Sequence, residues 1–178
     1  MAYNVAGQVA SEVRPGAVTV TKTYDNLGRL TVESGSGGGS TTASRTLAYD
    51  SGSRMTAAGG QLFTYDPRGM LAGSTGPQGA TTFGYDSLGR RTSRVDAAGS
   101  VTYGWNGRWD LTSAASTVFG WLGSGELDTV TYPGGTTRKY TYDDLGRATD
   151  DQVKNSVAAI ISRRQYAYNP DSTCCRRR

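Results

Sequence analysis

Four carboxylates crowd one short stretch of the chain: Asp143, Asp144, Asp150 and Asp151. A hairpin folded between them would bring the two pairs within reach of each other. That arrangement serves acid–base hydrolysis or a Ca²⁺ or Mg²⁺ ion. The structural alternative is that Asp143 opens a turn and the others are solvated. Trp105, Trp109 and Trp121 are a second candidate. An exposed indole is a flat platform for sugar rings or bases, whereas a buried one completes an apolar layer. Other chemistry is sparse. The 178 residues contain no histidine, which removes Ser–His and Cys–His pairs, the commonest general base and most zinc sites. Gly35 to Ser40 is glycine-rich but lacks the Lys-Ser/Thr of a phosphate loop, and reads as a flexible loop. The expectation is therefore no cofactor, no resident metal and no assigned catalytic residue. An enzyme remains an alternative only through the carboxylates, as a hydrolase.

The elements that must position these residues come from a repeat. Tyr-Asp-x-Leu-Gly-Arg occurs in full three times: Tyr24, Asp25, Gly28 and Arg29; Tyr85, Asp86, Gly89 and Arg90; Tyr142, Asp143, Gly146 and Arg147. Relaxed copies begin at Tyr3, Tyr49, Tyr65, Tyr103, Phe119 and Tyr168. The motif is tight and the spacing between motifs is loose, which fits a fixed turn joining strands of variable length rather than helical repeats. Two residues before most of these aromatics stands another apolar residue, such as Leu47, Phe63, Phe83, Val101 or Tyr140, with a small or β-branched residue between. That is the two-residue alternation of a strand. Asp after Tyr can bond the amides ahead of it and start a turn. Gly four residues after Tyr supplies a positive φ, and the adjacent Arg can pair with the Asp. Tyr132-Pro133-Gly134-Gly135-Thr136, Gly76 to Gly79, Ala97 to Gly99 and Ala58 to Gly60 supply turns between motifs. One repeat is then strand, Tyr-Asp turn, strand, glycine-rich turn, and the sum is an antiparallel meander.

These motifs resemble the YD-repeat (Rhs-repeat) family, from Tyr3 to about Asp171. The family includes bacterial Rhs and wall-associated proteins, the shell-forming subunits of insecticidal toxin complexes, and teneurins. The resemblance implies a β-sheet shell segment that encloses or supports, a secreted or cell-surface parent, and glycans as a suggested ligand. The family's self-cleaving Pro-x-x-x-x-Asp-Pro-x-Gly-Leu pattern is only approached here. Asp66-Pro67-Arg68-Gly69-Met70-Leu71 is similar, but Gln61 stands where that pattern has Pro, so the activity is not carried over.

Composition agrees with an all-β chain. Hydrophobic residues are 36% and glycines number 25, poor material for a helical globule. The best helix candidate, Val153 to Ile161, is interrupted by Asn155-Ser156, and Ala158 to Tyr168 reads as a strand. No stretch approaches the ~20 apolar residues of a membrane span, and the N-terminus lacks the features of a signal peptide, so the chain's own location is open. Net charge is +4. Arg138-Lys139 and Arg163-Arg164 beside Tyr140 and Tyr166 are read as edge protection rather than a nucleic-acid face.

The expected organisation is a repeat module over residues 1–171 and an unstructured basic tail over 172–178 with adjacent Cys174 and Cys175, which are poorly placed to bridge each other. About 16–18 strands at ~4.8 Å spacing would make a strip wider than open sheets usually reach. A curled strip, a barrel-like closure or two packed layers follow. Pro15, Lys22, Arg163 and Arg164 are expected to guard its edges, and self-association through edges or with neighbouring shell segments is the expected partnership.

Overall fold

The computed structural model describes residues 1–169 and 174–177. They contain eighteen strands and no helix. One compact unit is Met1–Phe83 with Val95–Ala98. It contains β1 (Ala2–Tyr3), β2 (Val9–Arg14), β3 (Val18–Tyr24), β4 (Leu30–Gly37), β5 (Ser40–Tyr49), β6 (Met55–Ala58), β7 (Gln61–Tyr65), β8 (Leu71–Gly76) and most of β9 (Gly79–Tyr85). The other is Gly84–Arg94 with the chain from Gly99 onward. After β10 (Arg91–Asp96), shared by the two units, it contains β11 (Gly99–Trp105), β12 (Leu111–Ala114), β13 (Thr117–Trp121), β14 (Leu127–Thr131), β15 (Thr137–Tyr142), β16 (Ala148–Lys154), β17 (Ile160–Tyr168) and β18 (Cys174–Arg177).

Within each unit the strands pair antiparallel with their neighbours in sequence. This is the all-β meander expected from the repeat. Short hairpins suffice because each strand finds its partner a few residues away.

The turns explain the regularity. In ten of the described turns the first residue's amide donates to the carbonyl of the fifth, and the fourth residue's amide donates to the carbonyl of the first. Their first residues are Asn4, Asp25, Asp50, Asp66, Asp86, Asn106, Leu122, Tyr132, Asp143 and Asn155. The fourth residue always has positive φ, between 61° and 105°. This is a type I turn closed by a left-handed residue, the three-residue hairpin loop with a bulge. The ladder shows the bulge as a register shift at Thr23/Tyr24, Thr64/Tyr65 and Thr141/Tyr142. Glycine serves that fourth position in seven turns; Ser53, Trp109 and Ala158 fill the others.

Several expectations change. The central repeats are shifted by two residues. Their pre-turn aromatics are Trp105 and Trp121, not Tyr103 and Phe119, because the turn bonds begin at Asn106 and Leu122. Tyr132–Thr136 and Asn155–Ala159 make the same turn as the Tyr-Asp motifs. The helix considered over 153–161 is instead the end of β16, this Asn155 turn and the start of β17, since the Asn155 side chain accepts the amides of Val157 and Ala159. Gly35 to Ser40 is no loose loop: β4 runs to Gly37 and β5 begins at Ser40, with Gly38 and Gly39 at positive φ between them. Lys22 lies in β3 and Arg163 and Arg164 lie in β17, strands paired on both sides, and Pro15 falls between β2 and β3. None of the four guards an edge. Cys174–Arg177 pair with β17 as β18, where an unstructured tail was expected; the rest of the expected tail lies outside the described residues.

The apolar core is thin. Val20, Ala58 and Val130 are the buried hydrophobic residues among those described, and none of the described large side chains is fully buried. Cohesion must therefore come from the ladder and from side chains linking successive turns.

Gly89 has φ 83° and donates its amide to Asp86 O inside the hydrogen-bonded turn, so a β-branched residue there would be strained. Gly89→Val is expected to lower stability by about 1–3 kcal/mol. Gly107→Val, at a turn position without positive φ and with open space around it, should cost far less. Urea midpoints measure both, and equal midpoints would contradict the turn assignment.

Candidate functional site

The repeated feature is a side-chain network that begins at the first residue of each turn. Asp25 Oδ1 accepts the amides of Leu27 and Arg29, each at 2.9 Å, and its Oδ2 accepts Arg29 Nε at 2.7 Å. Asp143 repeats this with Leu145 (3.1 Å), Arg147 N (3.0 Å) and Arg147 Nε (2.7 Å). Asp86 holds Leu88 and Arg90 in the same way, and Asp50 holds Arg54. Two amides that a hairpin loop leaves exposed thus gain a charged acceptor, which is why Asp rather than a bulkier acid stands there. The amide of Arg29 and then its side chain hold the Asp25 carboxyl below its usual range, and Arg54 and Arg147 do the same for Asp50 and Asp143. At Asp66 the fifth residue is Met70, so the guanidinium comes from Arg68 instead, Nε to Oδ2 at 3.2 Å.

Each turn is then fastened to its neighbours. The aromatic that ends a repeat donates to the carbonyl of the residue following an earlier turn, skipping the Tyr132 and Asn155 turns that intervene before Tyr142 and Tyr168. Tyr24 Oη reaches Val9 O (2.9 Å), Tyr49 reaches Leu30 O (3.0 Å) and Tyr65 reaches Met55 O (2.7 Å). Tyr142 reaches Leu127 O (2.6 Å) and Tyr168 reaches Ala148 O (2.7 Å). Trp105 and Trp121 use their indole nitrogens for the same bond, to Arg91 O at 2.7 Å and Leu111 O at 2.8 Å. Arginine reaches the other way. Arg29 Nη1 donates to Asp50 O and Ser53 Oγ, both at 3.1 Å, with its guanidinium 4.7 Å from the Tyr49 ring centre. Arg147 lies 4.7 Å over Tyr168 and Arg54 4.9 Å over Tyr65. Arg90 Nη1 donates to Asn106 O at 2.7 Å. Gln8, in the place of these arginines, donates to Gly28 O at 2.9 Å.

The other candidates fall within this framework. Asp143 is a turn former. Asp144 is exposed in the same turn. Asp150 and Asp151 are adjacent in β16 and so face opposite sides of the sheet, at 8% and 4% exposure. Asp150 pairs with Arg163 at 2.8 Å. Asp151 takes both Arg138 Nε and Nη2 at 2.7 Å, with Arg164 at 3.5 Å. The guanidiniums of Arg163 and Arg138 hold the respective carboxyls low. The structure does not bring Asp150 and Asp151 together as a pair, and no group of possible metal ligands occurs among the described residues.

The three tryptophans also divide. Trp105 and Trp121 donate into the ladder, as described. Trp109 is 55% exposed and sits at φ 72° where most turns have glycine. It stands 5.4 Å from the Arg90 guanidinium and borders a cleft of about 450 Å³ with Tyr103, Trp105 and Leu111. The indole-to-carbonyl bond was not legible from sequence, because nothing in Tyr-Gly-Trp-Asn marks which aromatic precedes the turn. The Asn106…Asp110 spacing, an amide facing an acid four residues on, was the available signal.

A sequence model of the RHS Repeat family matches residues 65–101. No curated protein matches this chain. Among solved structures, the crystal structure of TcdB2-TccC3-TEV is similar over 97% of this chain and 11% of that one, at 12% identity and a TM-score of 0.76. The Tc holotoxin pore of Photorhabdus luminescens is similar over 98% of this chain and 11% of that one, at 13% identity and a TM-score of 0.75. The crystal structure of TcdB2-TccC3 without its hypervariable C-terminal region gives 96%, 11%, 12% and 0.76. This chain shares their Rhs-type repeat fold and spans about a ninth of those chains.

Two outcomes follow from the geometry. Carboxyls held below the ~3.9 of an unfolded aspartate contribute stability that is fully present above that value and lost as pH falls through their folded values. Thermal stability should therefore drop below about pH 4. A triple variant, Asp25→Asn, Asp50→Asn and Asp143→Asn, keeps an oxygen for the turn amides, as Asn4 and Asn106 do, and should flatten that acid slope. An unchanged slope would assign acid sensitivity elsewhere. Tyr142→Phe removes the donor to Leu127 O and should cost about 1 kcal/mol by chemical denaturation; no loss would show that the hydroxyl is not bearing on the fold.

Proposed function

We propose that this chain is a non-catalytic structural segment of an Rhs-type shell wall, working by enclosing or supporting rather than by reacting. The observation that carries this reading is the hand-over between turns. The Asp and Arg side chains of the turns and the Tyr and Trp side chains before them, as described above, are spent on holding a turn or fastening it to another, and the pattern is open-ended. Each repeat offers a carbonyl for the aromatic that follows and needs one from the repeat before. Tyr3, the first of these aromatics, is 61% exposed and its hydroxyl donates to Met1 Sδ at 3.7 Å.

The likeness to toxin-complex structures supports the same reading, and a secreted or surface-delivered parent goes with it. Three of the four candidate carboxylates, Asp143, Asp150 and Asp151, are paired with arginines, and two of the three indoles donate to carbonyls. Charged and aromatic groups here do mechanical work.

A wall segment should add to sheet neighbours. Light scattering over a concentration series is expected to show association beyond the monomer, since strand edges offer unpaired amides and carbonyls. A strict monomer at the highest attainable concentration would contradict this reading.

A further inference from the structure

One turn opens on an amide and closes on an acid. Where the turns beginning with Asp25, Asp50, Asp86 and Asp143 have Arg as fifth residue, and the Asp66 turn has Met70, the turn at Asn106 ends on Asp110. The Leu122 turn also ends on an acid, Glu126, but begins on no amide, and the residue after Asn106 is Gly107. This is the single Asn-Gly pair in the sequence.

We propose that Asn106 is a self-modification site, a turn built to convert its own asparagine into aspartate or isoaspartate. The Gly107 nitrogen attacks Asn106 Cγ, and the new C–N bond closes a five-membered imide. The Cγ–Nδ2 bond breaks, and the amide nitrogen leaves as ammonia with the proton shed by Gly107 N. Solvent water then opens the imide at either carbonyl, giving aspartate or isoaspartate; no redox partner is needed.

Three features of the turn favour these steps. Asn106 Oδ1 already accepts the amides of Arg108 (2.9 Å) and Asp110 (3.0 Å). Two fixed donors therefore face the oxygen on which charge collects in the tetrahedral intermediate. Asn106 Nδ2 donates to Asp110 Oδ2 at 2.8 Å, so a carboxylate stands beside the departing nitrogen and can relay the proton. Gly107 is exposed, carries no side chain, and has no atom within 4 Å of where a Cβ would lie. Sister turns lack the combination. Asn4 precedes Val5 and faces the Gln8 amide oxygen. Asn155 precedes Ser156 and ends on Ala159.

The consequence is local loosening. The product places two carboxylates where one hydrogen bond stood, and like charges in contact repel. Isoaspartate also lengthens the backbone at the register shift between β11 and β12. The turn that carries Trp109 at positive φ and receives Arg90 on its carbonyl would give way, and with it a rung of the wall.

The test is peptide mapping of the intact chain during incubation at neutral pH, following the segment that ends at Arg108. Asn106 is expected to lose its amide faster in the folded chain than in the same chain held unfolded in urea. Gly107→Ala is expected to slow the loss by about tenfold, the ratio that ~1.4 kcal/mol of barrier gives. Asp110→Asn, which keeps a polar partner, is expected to slow it while leaving the strand spectrum unchanged. A folded-state rate equal to or below the unfolded rate, or one indifferent to Asp110→Asn, would overturn the proposal. The Asn106→Asp variant is expected to melt below the parent chain; an equal melting temperature would overturn the loosening.

Discussion

A side-chain oxygen accepting two backbone amides is the interaction on which this molecule depends. A strip of antiparallel strands with a thin apolar core cannot rely on burial for its shape, because few of its side chains leave water completely. Its hairpins must be closed locally. An Asx side chain at the first turn position does this by satisfying the amides two and four residues on, in a loop short enough that little chain entropy is lost. The left-handed fourth residue completes the bend, and the bulge it forces sets the twist between the flanking strands.

Closure alone would give a string of independent hairpins, each marginal in water. The pre-turn aromatic makes them interdependent. Its ring supplies apolar area and its polar tip reaches the carbonyl just beyond an earlier turn. That combination of apolar area and a single donor belongs to Tyr and Trp alone among aromatic residues. Trp can therefore replace Tyr at 105 and 121 without breaking the ladder, whereas Phe could not. The arginine adds a reverse strap, stacked on the next ring and bonded to the next turn. Much of this energy is spread over small terms, so no single rung carries the whole.

The all-β meander, the turn role of Tyr24, Asp25, Gly28 and Arg29 and their counterparts, and the strand alternation were legible in the sequence. They are local and repeat with fixed spacing, so one physical argument covers many copies. The central register was not legible from the aromatics alone. Tyr103 and Trp105 both satisfy a strand pattern of period two, and only the amide bonds of Asn106 decide between them. The Asn155 turn was hidden because Lys154-Asn155-Ser156 lacks both aromatic and glycine; Ala158 accepts φ 64° there. The pairing of Asp150 and Asp151 with arginines thirteen residues away was beyond reach for another reason. It depends on which faces of β15, β16 and β17 coincide, a question of register rather than of motif.

The hand-over between turns is tested most directly by a double-mutant cycle across one rung. Asp143 closes a turn whose arginine lies on the Tyr168 ring, and Tyr168 donates to Ala148 O just after that turn. Asp143→Ala and Tyr168→Phe should therefore couple by about 0.5 kcal/mol or more, while Asp25→Ala and Tyr168→Phe should add independently. Strict additivity for the first pair would contradict the account.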